Sequence, residues 1–197
     1  MVKSISLYNS LNIKSKHKRS IILIGNFDGL HLGHQKLFTL AKKYKKKHSL
    51  KVGVLTFEPM PKMYFNKDFS KIKSIDFIEN ILKKKLKAKF IFVSNNFKFG
   101  NKRKGDVKQL IKCETKYNYK IINPKPLLIK KKIVSSSLIR NYLQKGKLVK
   151  ANNLLNRKWS IEGKVQKGKQ LGKKIGFPTA NIDIKDYVLA CPGVYAV

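Results

Sequence analysis

Residues Gly25 to His34 read GNFDGLHLGH and follow directly on the apolar run Ile21 to Ile24. Three glycines, one carboxylate and two of the chain's four histidines fall within ten positions. Glycines let a backbone turn sharply and bring unpaired N–H groups against a bound group, and imidazoles donate hydrogen bonds to phosphoryl oxygens. His31 and His34 are three apart, so on the opening turn of a helix both face one direction. Such a pair favours the negative charge that develops as a phosphorus is attacked, and asks no nucleophile of the protein. Asp28 reads as an acid that fixes the turn. The plainer alternative is a glycine-rich turn carrying two surface histidines.

The elements that must hold this stretch alternate. Ile21 to Ile24, short, apolar and rich in β-branched residues, predicts a buried strand. Leu37, Leu40, Ala41 and Tyr44 recur at helical spacing, so His34 to Lys47 predicts an amphipathic helix. Further strands are expected at Val52 to Phe57, Phe90 to Val93 and Ile121-Ile122, and further helices at Ile75 to Leu86, Val107 to Tyr117 and Ser137 to Leu143. Strands separated by helices imply an α/β fold, a parallel sheet with helices on both faces, whose ligand lies beyond the carboxyl ends of the strands. GNFDGLHLGH sits at such an end.

Composition narrows the class. With 197 residues and 42% hydrophobic content the chain buries a real core in one or two domains. No secretory leader and no apolar stretch of membrane-spanning length is expected, which makes the cytoplasm the default location. Cys113 and Cys191 lie far apart, without metal-ligand spacing, and read as idle thiols. The net charge of +35 would ordinarily point to nucleic acid. Here 41 lysines stand against 4 arginines, and 20 isoleucines against 6 alanines, the mark of AT-rich codon pressure rather than of phosphate recognition. The lysines spread along the chain with no aromatic motif between them. A solvated basic surface is expected, with no specific nucleic-acid partner.

The segment Gly25 to Gln35, GxFDGxHxGHQ, resembles the first domain of the prokaryotic bifunctional riboflavin kinase/FAD synthetases, of the HxGH nucleotidyltransferase superfamily. FEPMP at Phe57 to Pro61, NFKFGNKRKGD at Asn96 to Asp106 and VSSSLIR at Val134 to Arg140 follow in the family's order. LGKKIGFPTANI at Leu171 to Ile182 and the closing CPGVYAV resemble the opening of the family's riboflavin kinase domain. The resemblance implies a Rossmann-like nucleotidyltransferase domain over residues 1–156 and the first strands of a β-barrel kinase domain over 157–197, with a hinge near Asn156 to Ser160, where the helical pattern Leu148 to Leu155 ends. It also implies a chain shortened between Phe65 and Ser70 and truncated in the kinase part, with Met60 where relatives carry His.

The implied reaction is attack of the FMN phosphate on the α-phosphorus of ATP, giving FAD and pyrophosphate. Mg2+ would ride on the triphosphate, with no metal ligand directly in the first domain. By the same resemblance His31, His34 and Arg140 serve catalysis, while Gly25, Phe27, Asp28, Gly29, Ser136 and Ser137 line the ATP site. Asn96 would contact the flavin, with Phe97 and Phe99 packing in the core. For Ser136 and Ser137 the competing role is an ordinary helix cap. Thr179 and Asn181 would meet Mg-ATP in the kinase part, whose activity on riboflavin is expected to be lost in this chain. The competing readings are an HxGH nucleotidyltransferase with another acceptor, and an inactive remnant or basic protein that sticks to nucleic acid.

Overall fold

Ile21, Ile22, Leu23 and Ile24 are all buried, the condition of a strand inside a parallel sheet covered on both faces. The computed structural model describes residues 5–8, 10–56, 71–168, 175–176, 179–184, 188 and 190–193. In chain order the first elements are β1 (Ile21–Ile24), α1 (Leu32–His48) and β2 (Val52–Leu55). A helical turn, Ser74–Asp76, leads into α2 (Phe77–Lys85), and β3 (Phe90–Phe92) follows. Next come a two-residue hairpin, β4 (Lys98–Phe99) with β5 (Gly105–Asp106), then α3 (Val107–Lys112), α4 (Glu114–Tyr117) and β6 (Lys120–Ile122). The remaining elements are the hairpin β7 (Leu128–Ile129) with β8 (Lys132–Ile133), α5 (Ser136–Gln144), α6 (Leu148–Leu155), and the antiparallel pair β9 (Val165–Gln166) with β10 (Asn181–Ile182). They form two compact units, Met1–Asp28 with Gly33–Leu127, and Gly29–Leu32 with Leu128–Val197.

In the first unit four parallel strands take the order β2-β1-β3-β6. Side chains of a strand alternate between faces, and the core divides accordingly. Ile21, Leu23 and Phe92 pack with Leu37 and Ala41 of α1. Ile22, Ile24, Ile91, Val93 and Ile121 pack instead with Phe77, Ile78, Ile81 and Leu82 of α2 and with Val107 and Leu110 of α3. The expected three-layer α/β arrangement is therefore present. Strand order reverses at β1, because the chain goes first to β2 on one side and later to β3 on the other. In such sheets the crevice at the reversal, at the carboxyl ends, is where ligands lie.

Two local features differ from the periodic pattern. α2 is wound wide, with the N–H of Leu86 reaching the Ile81 carbonyl at 2.9 Å, five residues back. The helix expected over Val107 to Tyr117 breaks at Cys113, and the Glu114 carboxylate turns to β6. One oxygen accepts the Ile121 N–H at 2.7 Å and the other the Lys120 ammonium at 2.8 Å. Burial pushes the Glu114 carboxyl up, but these two donors outweigh it, so it stays ionised below the ordinary carboxylate range. Its contribution to stability is present above that range and is lost as pH falls through the lowered value. Among the described residues no helix is long and apolar enough to cross a membrane.

In the second unit α5 and α6 form a helical hairpin, burying Ile139, Leu143, Ala151, Leu154 and Leu155. The N–H of Cys191 reaches the Leu143 carbonyl at 3.0 Å, so residues near 191 lie on this hairpin. Cys113 and Cys191 are both half-buried. Of the expected barrel, the described residues contain the pair β9 and β10, on which Val165 and Ile182 remain exposed. The β7–β8 turn places Lys130 and Lys131 at φ 48° and 62°, a conformation that suits Asn-Gly and strains a residue with a Cβ. Replacing them together, Lys130→Asn with Lys131→Gly, is expected to raise stability by about 1 kcal/mol, read as a higher urea midpoint at unchanged slope.

Candidate functional site

The N–H of Gly25 still bonds to the Leu55 carbonyl at 3.2 Å, prolonging the sheet by one residue before the chain turns away. Beyond it Phe27 buries part of its ring in the α1-side core, 5.1 Å from Phe38 between centroids. The same ring meets His34 edge-on at 5.2 Å and 71°. His34, in the first turn of α1 and half-buried, is therefore held by packing rather than projecting from a surface. Asp28 is exposed and opens a single 3-10 turn, Asp28–Leu30. β3 neighbours β1 with Leu23 opposite Phe92, so the loop after β3 departs from the same edge of the sheet. Asn96 lies on that loop, exposed, its amide oxygen accepting the Ser94 hydroxyl at 3.0 Å. Phe97 and Phe99 stack on one another at 5.5 Å and are buried, as expected of core residues.

The second unit holds Gly29 to Leu32. Gly29 has φ 67°, which favours glycine, and a Cβ there would stand a tight 3.2 Å from the Leu155 side chain of α6. Gly25 needs neither: its φ is not left-handed, and a Cβ would only touch the Phe27 ring at 3.7 Å. His31 precedes the first residue of α1 and is buried at 5% exposure. A turn with two surface histidines is thus not what the chain builds. An unforeseen contact joins this turn to the end of α6, where the Arg157 guanidinium donates to the Gly29 carbonyl at 2.6 Å.

α5 answers the question of the three serines. Ser135, not Ser136 or Ser137, is the cap, its hydroxyl accepting the Leu138 N–H at 3.3 Å. Ser136 and Ser137 are the first helical residues, where backbone N–H groups have no partner within the helix and the helix dipole favours anions. Arg140 stands one turn after Ser136, half-buried. Thr179 is exposed. Asn181 is exposed on β10, paired with Gln166, and its amide lies in close contact with Gly168. Met60 and the FEPMP segment lie outside the described residues, as do parts of LGKKIGFPTANI and CPGVYAV. Among the described residues no group of three His, Cys, Asp or Glu side chains is placed to hold a metal ion.

Comparison with known proteins adds independent findings. The FAD synthetase family profile matches residues 13–68 and 62–138, in two parts that meet where the chain was expected to be shortened, and the riboflavin kinase profile matches 155–197. A bifunctional riboflavin kinase/FMN adenylyltransferase of Buchnera aphidicola subsp. Schizaphis graminum (strain Sg) is 37% identical over 219 residues, covering 94% of this chain and 70% of that protein. The protein of the same description from Escherichia coli (strain K12) is 32% identical over 209 residues, covering 90% of this chain and 67% of that one. A crystal structure described as a macrolide-efflux protein from Streptococcus pneumoniae superposes with a TM-score of 0.75 at 26% identity, covering 90% of this chain and 68% of that chain.

The two glycines of the turn separate structural need from ligand approach. Gly29→Ala is expected to lose about 1–2 kcal/mol of stability in a denaturant melt. Gly25→Ala is expected to stay within about 0.5 kcal/mol of the parent. An equal loss in both would show that the turn does not depend on the left-handed residue.

Proposed function

The chain belongs to the bifunctional riboflavin kinase/FMN adenylyltransferase family, and we propose that it transfers AMP from ATP to FMN, giving FAD and pyrophosphate. The observation that carries this reading is GNFDGLHLGH leaving β1 where the strand order reverses, inside the stretch matched to FAD synthetase. An oxygen of the FMN phosphate attacks the α-phosphorus of ATP, and the bond from that phosphorus to the bridging oxygen of the β-phosphate breaks. FMN phosphate is already ionised at neutral pH, so no general base is needed. The work left to the protein is placement and charge stabilisation.

The roles follow the residues. His31 and His34 donate to phosphoryl oxygens as charge builds at phosphorus, and Arg140 sets a permanent charge against the triphosphate. Ser136 and Ser137 offer hydroxyls together with the N–H groups of the α5 start. The backbone at Gly25, Phe27, Asp28 and Gly29 lines the nucleotide, and Asn96 meets the flavin. ATP enters as its Mg2+ complex, the ion travelling with the substrate. The reading places the protein in the cytoplasm, with ATP and FMN as its small-molecule partners and no specific nucleic acid among them.

Thr179 and Asn181 are assigned to Mg-ATP in the part matched to riboflavin kinase. For the 197-residue polypeptide we expect no phosphorylation of riboflavin.

Incubated with Mg2+, ATP and FMN, the protein is expected to yield FAD and pyrophosphate, and with riboflavin in place of FMN to yield no FMN. His34→Ala and His31→Ala are each expected to lower kcat on the order of 10²-fold while FMN affinity changes little. Near-parental turnover in both variants would overturn the assignment.

A further inference from the structure

We infer that Arg157 is a positioning residue for adenylyl transfer, gripping the turn that delivers His31. The inference rests on the function proposed above. Its geometric basis is the contact between the Arg157 guanidinium and the Gly29 carbonyl at 2.6 Å, across 128 residues of sequence. Leu155, two residues earlier, lies against Gly29 from the same helix end, where a Cβ would stand 3.2 Å from its side chain. Polar and apolar contacts from one helix terminus thus converge on one residue of the turn, and His31 is two positions further on.

The grip is itself fixed. α6 ends with Asn156 in the left-handed conformation at φ 57°, which turns the chain so that Arg157 leaves the helix axis. The Arg157 N–H returns to the Asn152 carbonyl at 3.3 Å, and the Asn152 side-chain oxygen accepts the Trp159 N–H at 2.7 Å. Asn152 therefore clamps the backbone on both sides of Lys158, leaving the Arg157 side chain a short reach to its acceptor. Residue type argues in the same direction. In a chain of 41 lysines and 4 arginines, an arginine makes this contact, and its planar fork holds direction where an ammonium would rotate. Gly29 and Leu30, both at positive φ, form a turn whose backbone a side-chain donor stabilises from outside. Arg157 also lies within the stretch matched to riboflavin kinase, residues 155–197. The first residues of that match thus serve adenylyl transfer.

The test compares Arg157→Ala and Arg157→Lys with the parent chain. For Arg157→Ala the expected result is a fall in kcat for FAD formation of about tenfold or more, with KM for ATP and FMN little changed and partial rescue in Arg157→Lys. In a His31→Ala background the same substitution is expected to cost nothing further, because both act through one group. Hydrogen exchange of the backbone amides at residues 29–32 is expected to speed up in Arg157→Ala, an outcome that can be read without any turnover. Unchanged exchange with unchanged kcat, or losses that add in the double variant, would overturn the inference. A parent chain that makes no FAD while Arg157→Ala still loosens residues 29–32 would sink the proposed reaction and leave the grip standing.

Discussion

The fold turns on the burial of β1 from both sides. A strand with neighbours on each edge and helices on each face has no exposed backbone and no exposed side chain, so its four residues must all be apolar, and they are. Because the chain passes to β2 on one side and to β3 on the other, the loops leaving β1 and β3 diverge. In parallel sheets such a reversal is where ligands are taken up. His31, Gly25 and Gly29 follow β1 and Asn96 follows β3, all beyond the carboxyl ends of these strands.

Packing then sets each group in its own unit. Phe27 is drawn into the core beside α1 and meets His34 in a T-shaped contact that helps fix the imidazole. Gly29 is pressed on by Leu155 and held by Arg157, and the left-handed backbone this requires is one that glycine adopts without cost. α5 is capped by Ser135, and Ser136 and Ser137 open the helix behind it.

Much of this was legible in the sequence. The run Ile21 to Ile24 and the helical spacing in α1 gave a buried strand and an amphipathic helix, since period and β-branching are local properties. β2, β3, β6 and the parallel arrangement followed from the same alternation. The break at Cys113 was not legible, because it depends on a carboxylate finding an N–H seven residues on. The hairpins β4–β5 and β7–β8 are two residues to a strand, too short to show a period, and the second turns on Lys-Lys rather than on a turn-forming pair. Within VSSSLIR the capping serine was uncertain by a residue, as helix starts usually are. The contact of Arg157 with Gly29 left no local trace at all. What made that arginine conspicuous was its rarity among lysines.

The scarcity of acids has its own consequence. Glu79, Asp106 and Glu114 each pair with a lysine, and each also accepts a hydrogen bond from the chain: from the Tyr117 hydroxyl, the Gln109 N–H and the Ile121 N–H. These carboxylates fix local geometry, and a formal charge of +35 remains to repel itself across the molecule. Such repulsion reaches about 8 Å at physiological ionic strength and about 30 Å in dilute buffer. Dissolved anions screen that repulsion, and multivalent ones add more ionic strength per ion than monovalent ones.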